Sequence, residues 1–383
     1  MKKILIVLLF FIVSYGLYAQ VDDGALKDSI AVHMDTTQIV IPLQINVDSI
    51  ASIADTSSTM IVAENQEANL EFNEGIGLFN RGEFEAAAFK FTNAIRLKPD
   101  FEKAYFNRGA AYLQLQDLDM AINDYDSVLI LNPSRNSAYY YRGYIYYYQD
   151  MFDIAFVQFN LAISKGYKDA NMYYLRGVIN FRNDIYDKAI EDYSEAIELS
   201  PENYFAFHDR GSCYRLTDEL DLAIDNYTRA IEIKNDQAQV YNNRGSVYRL
   251  QKKYDEAIAD YTNAISLKKD YFIALNNRGI AYYETGKYDE AIADFQEVLR
   301  LKKDYAYAYN NIGLCYYRLK DFDVAIESYT KAILLDETYA YPYLHRANAK
   351  EMKRDFDGAC RDWHKAIELG VVEAEDYVTI CRE

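Results

Sequence analysis

A chain of 383 residues has room for two or three globular domains, and its composition narrows the choice: half the residues are apolar, yet only 5 are Pro and 16 Gly, which suits a long helical array better than a turn-rich sheet. The formal charge of -18, with no basic stretch to offset it, excludes a nucleic-acid partner, because phosphate binding needs clustered Lys and Arg. No nucleotide loop, nucleophile elbow or metal-ligand cluster occurs, and His33, His208, His345 and His364 are scattered, so no catalytic site, cofactor or metal is expected.

Lys2 and Lys3, the apolar run from Ile4 to Val13 and the ending Tyr18-Ala19-Gln20 predict a cleaved export signal over residues 1–19. The run is short for a membrane span, so none is expected after its removal, although Leu17 keeps an uncleaved anchor open. Residues 20–67 are expected to form a flexible linker or tail, since the 38 Tyr and 19 Phe avoid the stretch and little could be buried there. Within it, Ile39 to Val47 reads either as a strand for addition to a partner or as an apolar patch in a linker. Asp28-Ser29-Ile30, Asp35-Thr36-Thr37 and Asp48-Ser49-Ile50 are similar to an O-glycosylation acceptor pattern.

From residue 68 the chain repeats. Gly75, Gly109, Gly143, Gly177, Gly211, Gly245, Gly279 and Gly313 stand 34 residues apart, as do the Ala series from Ala87 to Ala359 and the aromatic series from Phe91 to Trp363. With Gly at the eighth place, nine units follow: 68–101, 102–135, 136–169, 170–203, 204–237, 238–271, 272–305, 306–339 and 340–373, the last with Ala347 in place of Gly. Apolar residues recur at helical spacing in two runs per unit, predicting a helix, a turn and a second helix. Gly at the eighth place and Ala at the twentieth would let the two helices approach, a ring at the twenty-fourth filling the space beside them. A last helix, Ala374 to Arg382 within 374–383, would cap the array.

Unit length, the Gly, Ala and aromatic places, and Pro99, Pro133 and Pro201 at unit ends resemble the tetratricopeptide-repeat (TPR) family over about four fifths of the chain. The resemblance implies an all-α, right-handed superhelical solenoid whose first helices line a concave groove, and a role in binding rather than catalysis. Units that lack the terminal Pro carry Gly166-Tyr167 or Gly370-Val371, a Gly helix C-cap.

Comparison between units suggests an ion pair between the seventh and twenty-third places: Arg108, Arg176, Arg244, Arg278 and Arg346 would face Asp124, Asp192, Asp260, Asp294 and Asp362. Arg142 and Arg210 would face Gln158 and Asn226. The first unit reverses the signs, with Glu74 and Lys90, and the eighth has Ile312 and Ser328. A structural clamp explains this better than an anion track. Cys360 and Cys381 would lie level on antiparallel helices, which predicts a disulfide in an oxidising compartment, whereas Cys213 and Cys315 read as buried small residues.

The fifth, sixth, ninth, twelfth and thirteenth places should face the groove, by helical spacing and by the resemblance. They give the candidate binding residues Tyr140, Tyr144, Tyr147, Tyr148, Tyr174, Phe181, Asn242, Asn243, Asn276, Asn277, Asn310 and Asn311. A Lys-based carboxylate clamp is absent, while Asn243, Asn277 and Asn311 resemble the asparagine ladder with which some TPR superhelices hold a peptide backbone. Tyr would anchor partner side chains and Asn hold the backbone; alternatively the Tyr pack between helices and the Asn are solvated. The expected function is therefore a periplasmic or secreted scaffold that binds an extended protein segment, of undetermined oligomeric state; the alternative is a glycan-binding or envelope-assembly protein using the aromatic groove.

Overall fold

A computed structural model describes residues 59–378 and Cys381. The expected signal at 1–19, the part of the expected linker up to residue 58, the apolar stretch 39–47 and the three acceptor-like triplets lie outside the described residues. The chain divides into two bodies, with the described residues up to Cys213 in one and those from Tyr214 in the other.

Every predicted repeat is built as two helices, and eighteen α-helices occur among the described residues. In the first body they pair as Thr59–Asn80 with Phe84–Leu97, Glu102–Gln114 with Leu118–Leu131, Asn136–Tyr148 with Phe152–Ser164, and Ala170–Arg182 with Tyr186–Leu199. Helix Tyr204–Leu216 follows. The second body holds Leu220–Ile233 and the pairs Ala238–Leu250 with Tyr254–Leu267, Phe272–Glu284 with Tyr288–Leu301, Ala306–Arg318 with Phe322–Leu335, and Tyr341–Met352 with Phe356–Glu368. Within each body the second helix of a pair also packs on the first helix of the next, so each hairpin hides its remaining apolar face on a neighbour.

The small residues act as the spacing predicts. A Cβ on Gly143 would lie 2.7 Å from the Phe159 ring, and one on Gly279 2.7 Å from the Phe295 ring. All nine Ala of the twentieth place and all nine rings of the twenty-fourth are fully buried. The first helix departs from expectation: it begins at Thr59, inside the stretch assigned to the linker. A lack of aromatic residues limits what a segment can bury but not its local helicity, and Ala63, Glu64, Gln66, Glu67 and Ala68 are good helix formers.

The turn within each hairpin carries one residue in the left-handed region, at the fifteenth place of its unit: Gln116, Asp150, Asp184, Asp218, Lys252, Lys320 and Arg354, with Gly82 and Gly286 in the same role. The amide of Asp117 donates to the Tyr112 carbonyl over 2.9 Å and that of Gln116 to Leu113 over 3.1 Å, the pattern that closes a helix on a left-handed residue. Gly166 and Gly370, with φ of 81° and 95°, close their second helices in the same way.

The C-terminal cap also differs from expectation. Where a helix from Ala374 to Arg382 is expected, the described residues form a five-residue 3-10 helix over Val372–Asp376, and residues 379, 380 and 382 lie outside the described residues. The β-branched pair Val371-Val372 favours helix poorly, and so short a segment cannot offset the cost of nucleation. It still caps the stack: Val371 and Ala374 are buried, Tyr377 lies flat on Trp363 with ring centroids 5.5 Å apart, and Cys381 is bonded to Cys360 across a Cα–Cα distance of 5.7 Å. Cys213 and Cys315 are buried and outside the disulfide, as expected.

Candidate binding face

Successive first helices within a body touch one another, and one register rule governs the contact. The fifth place of a unit meets the sixth place of the next. Phe106 meets Tyr141 with ring centroids 5.6 Å apart, and the Tyr174 hydroxyl donates to Asp209 Oδ2 over 2.9 Å. In the second body Asn277 Nδ2 donates to Asn242 Oδ1 over 3.0 Å, Asn311 Nδ2 to Asn276 Oδ1 over 3.4 Å, and His345 Nδ1 lies 2.9 Å from Asn310 Oδ1. Within helices, Asn242 Nδ2 donates to Asn243 Oδ1 over 3.3 Å and Asn310 Nδ2 to Asn311 Oδ1 over 3.5 Å.

The structure therefore brings the six predicted Asn together, in a different role from the one expected. They are buried and bonded to each other or to His345, so their amides tie repeat to repeat. The hydroxyls and rings of the first body are likewise committed to the chain. Tyr140, Tyr144, Tyr147 and Phe181 are 1–3 % exposed, and Tyr174 is buried on Asp209. Tyr140 packs on Tyr167 at 5.2 Å, Tyr147 on Phe152 at 5.4 Å and Phe181 on Tyr186 at 5.6 Å. Burial pushes the hydroxyls of Tyr144 and Tyr147 well up from the ordinary phenol range, as it does that of Tyr140. Of these predicted anchors Tyr148 alone stays half-buried, its ring 4.7 Å from that of Tyr144. A Tyr-rich helix supplies more rings than its own hairpin core needs, and the surplus fills the seams between hairpins, a destination helical spacing cannot distinguish from an open surface.

Sequence reasoning missed other residues of this face. Tyr307, at the second place of its unit, packs on Tyr305 and on Tyr339 with centroids 5.3 Å and 4.8 Å apart. His345 ends the Asn ladder, and its burial lowers its pKa to about 4. The sixth-place series was the available signal for His345, since it stands one repeat beyond Asn311.

The five predicted Arg–Asp pairs all form, most of them two-pronged, as in Arg244 Nε and Nη2 to the two Asp260 oxygens at 2.8 Å each. Burial raises the Asp124, Asp192 and Asp260 carboxyls, and their Arg partners oppose that rise. The reversed pair Lys90–Glu74 also forms, at 2.6 Å. Each Arg has a second duty that the sequence reading did not assign: its Nη1 reaches the twenty-fifth place of the preceding unit. Arg108 donates to Thr92, Arg176 to Asn160, Arg210 to Ser194, Arg244 to Thr228, Arg278 to Thr262 and Arg346 to Thr330. Arg142 corrects the expected pairing with Gln158, for it bridges to Asp126 of the preceding unit at 3.1 Å. A carboxylate there outcompetes the neutral amide of Gln158.

Among the described residues, no group of three or more His, Cys, Asp or Glu is placed to hold a metal ion, and no helix is long and apolar enough to cross a membrane.

Three family models match the chain. Two described as tetratricopeptide repeat match residues 236–304 and 270–338, and 102–135 and 170–203; one described as TPR repeat matches 78–116 and 211–251. No curated protein matches. Among solved structures, the C-terminal part of a TPR repeat-containing protein from Cytophaga hutchinsonii is similar at 20% identity over 62% of this chain and 98% of that one, with a TM-score of 0.53. YrrB, a TPR protein with an unusual peptide-binding site, is 25% identical over 48% of this chain and 95% of its own, with a TM-score of 0.46. The Pseudomonas aeruginosa protein pilF is 20% identical over 55% and 96%, with a TM-score of 0.48. Helix hairpins of 34 residues, their Gly, Ala and ring contacts and the three family-model matches agree, and the chain belongs to the tetratricopeptide-repeat family.

Proposed function

We propose that the chain is a non-catalytic interaction scaffold, exported to the periplasm or beyond, that holds an extended protein segment against the face of its first helices. One observation carries this reading: within each body the first helices lie side by side in a fixed register, fifth place to sixth, which makes a continuous face with side chains at regular intervals. An extended chain can follow such a face, one repeat after another. The buried Asn and Tyr set the spacing of that platform, and contact with a partner passes to the residues left half-buried on it, Tyr148 in the first body and Tyr307 in the second. Tyr suits this work because it offers a large contact area with few rotors to immobilise.

Two features support export. The first nineteen residues have the charge and apolar pattern of a signal, and the Cys360–Cys381 bond suits an oxidising compartment. N-terminal sequencing of the natural protein is expected to begin near Gln20, and Met1 on soluble cytoplasmic protein would end that part of the proposal. For the binding face, a photo-crosslinking residue at Tyr148 or Tyr307 should capture protein adducts in cells, whereas one at Val157, exposed on a second helix, should not. Adducts from Val157 alone would move the binding surface to the outer helices.

A further inference from the structure

Places three and ten of a first helix face the preceding hairpin, where they meet places twenty, twenty-four and twenty-seven. Ala291, Phe295 and Val298 pack on Ala308 and Cys315 in this way, and Ala257 and Tyr261 pack on Ala281. Place three is buried in every unit from Ala104 in the second to Pro342 in the ninth. In the first unit it is Leu70, 64 % exposed, and Gly77 at place ten is only half-buried. Glu74, at the place of the clamp Arg, has a side chain 60 % exposed, against 16 % for Arg244. The helix Thr59–Asn80 therefore presents outward the face that every later first helix buries. The matching half of that interface stands at the other end of the array. Ala359, Trp363 and Ala366, again at places twenty, twenty-four and twenty-seven, pack on Val371, Ala374 and Tyr377, so the C-terminal segment sits where a tenth first helix would. Its residues keep the register: Tyr377 stands at place four, as Tyr105, Tyr241 and Tyr343 do, and Cys381 at place eight. A five-residue 3-10 helix fills this seat with little surface, and the bond from Cys381 to Cys360 ties it down.

We propose that these two faces are the halves of a head-to-tail contact between copies of this chain, and that the Cys360–Cys381 bond is the lock that keeps the contact from forming. The occupant follows from continuity with the interface between units. A first helix packs on the second helix before it, and Phe356–Glu368 is the one second helix among the described residues with no α-helix after it. The same register brings Glu74 of one copy to His364 of the next, since place seven reaches place twenty-five of the preceding unit and His364 is exposed. There an imidazole N–H can donate to a carboxylate. A contact of this kind is heterologous and adds one copy after another unless an end is blocked. With the bond closed, the protein's own segment blocks that end. A dithiol opens it: the reductant's two thiols are oxidised to a disulfide, the Cys360–Cys381 bond breaks, and each of its sulfurs takes up one electron and one proton.

The test is sedimentation velocity of the full chain, at moderate salt to screen its net charge of -18. Oxidised protein should sediment as a single species at every concentration. A freed-seat chain carrying Cys360→Ser, Tyr377→Asp and Cys381→Ser should form species that grow with concentration, and wild type reduced with dithiothreitol, which needs no substitution, should do the same. Adding Leu70→Glu should abolish that growth, because it buries a charge in the contact, and should leave the helicity seen by circular dichroism unchanged. Oxidised wild type offers only the Leu70 face, and the freed-seat chain with Leu70→Glu offers only the seat. A mixture of the two should therefore give a one-to-one pair and nothing larger. Growth that Leu70→Glu does not stop, no pair in the mixture, or a helical freed-seat chain that stays single would each overturn the contact. Reduced wild type that stays single while the freed-seat chain grows would overturn the lock. Ile41→Asp with Ile45→Asp should change nothing; association that appears only with these substitutions would make the chain's own apolar stretch the occupant of the Leu70 face and overturn the assignment to a second copy.

Discussion

Arg244 shows what a single side chain does in this array, since it grips Asp260 of its own hairpin with two nitrogens and Thr228 of the preceding unit with the third. Because both partners are largely buried, Arg244→Glu should cost about 3 kcal/mol, and adding Asp260→Arg should restore part of it. Thr228→Ala should cost about 1 kcal/mol by leaving Nη1 without its acceptor. Urea unfolding of the single and double variants checks this, and strictly additive losses for Arg244 and Asp260 would refute the pair. The intra-unit half of the grip was legible because the two series share a spacing and the first unit swaps their signs together. Its inter-unit half was not, since the twenty-fifth place is mostly Thr, Asn or Ser, which carry no charge to covary with, and Asp126 is the charged exception. A different residue-scale effect concerns Tyr193 and Tyr329, whose buried hydroxyls have no protein partner. Tyr193→Phe and Tyr329→Phe should each stabilise by about 1 kcal/mol, read as a rise in melting temperature; a fall in both would mean that those hydroxyls are satisfied.

At the scale of the helix hairpin, the turn at the fifteenth place strains any side chain other than Gly, which alone enters the left-handed region freely. Gly82 and Gly286 have this conformation already, and Lys252 and Lys320 adopt it with φ of 59° and 65°. Lys320→Gly should therefore stabilise by up to about 1 kcal/mol, in spite of the entropy that Gly adds to the unfolded chain. A loss of stability would show that the Lys side chain contributes more than its backbone strain costs. Gly143→Ala makes the opposite case, since its Cβ would meet the Phe159 ring at 2.7 Å, and it should cost roughly 1–3 kcal/mol. The close approach at Gly143 could be read from the repeat, but the left-handed turn could not, since Gln, Asp, Lys, Arg and Gly all occupy the place.

Across the whole molecule, stability depends on the seams between repeats and on the end cap. His345 needs a neutral imidazole beside Asn310, and burial lowers its pKa to about 4 against an ordinary 6.5. The unfolded chain takes up this proton first, so the contribution is complete above pH 6.5 and is lost as the pH falls towards 4. Allowing for partial exposure, the loss is about 2 kcal/mol, and His345→Gln should flatten the pH dependence of unfolding in that window. At the end of the chain, Cys360→Ser with Cys381→Ser should cost on the order of 3 kcal/mol by releasing a 21-residue loop. Titration of unfolded, non-reduced wild type should find two free thiols, Cys213 and Cys315; four would remove the bond. The sequence by itself determined the hairpins, their 34-residue register and the intra-unit Arg–Asp pairs, because each follows from spacing along one continuous chain. Only the tertiary structure decided that the Asn and surplus Tyr are spent between repeats and that the clamp Arg residues reach back to the preceding unit. Those outcomes depend on how one helix settles against a helix 34 residues away, and a periodic pattern repeats the same side chains without saying which neighbour each one reaches.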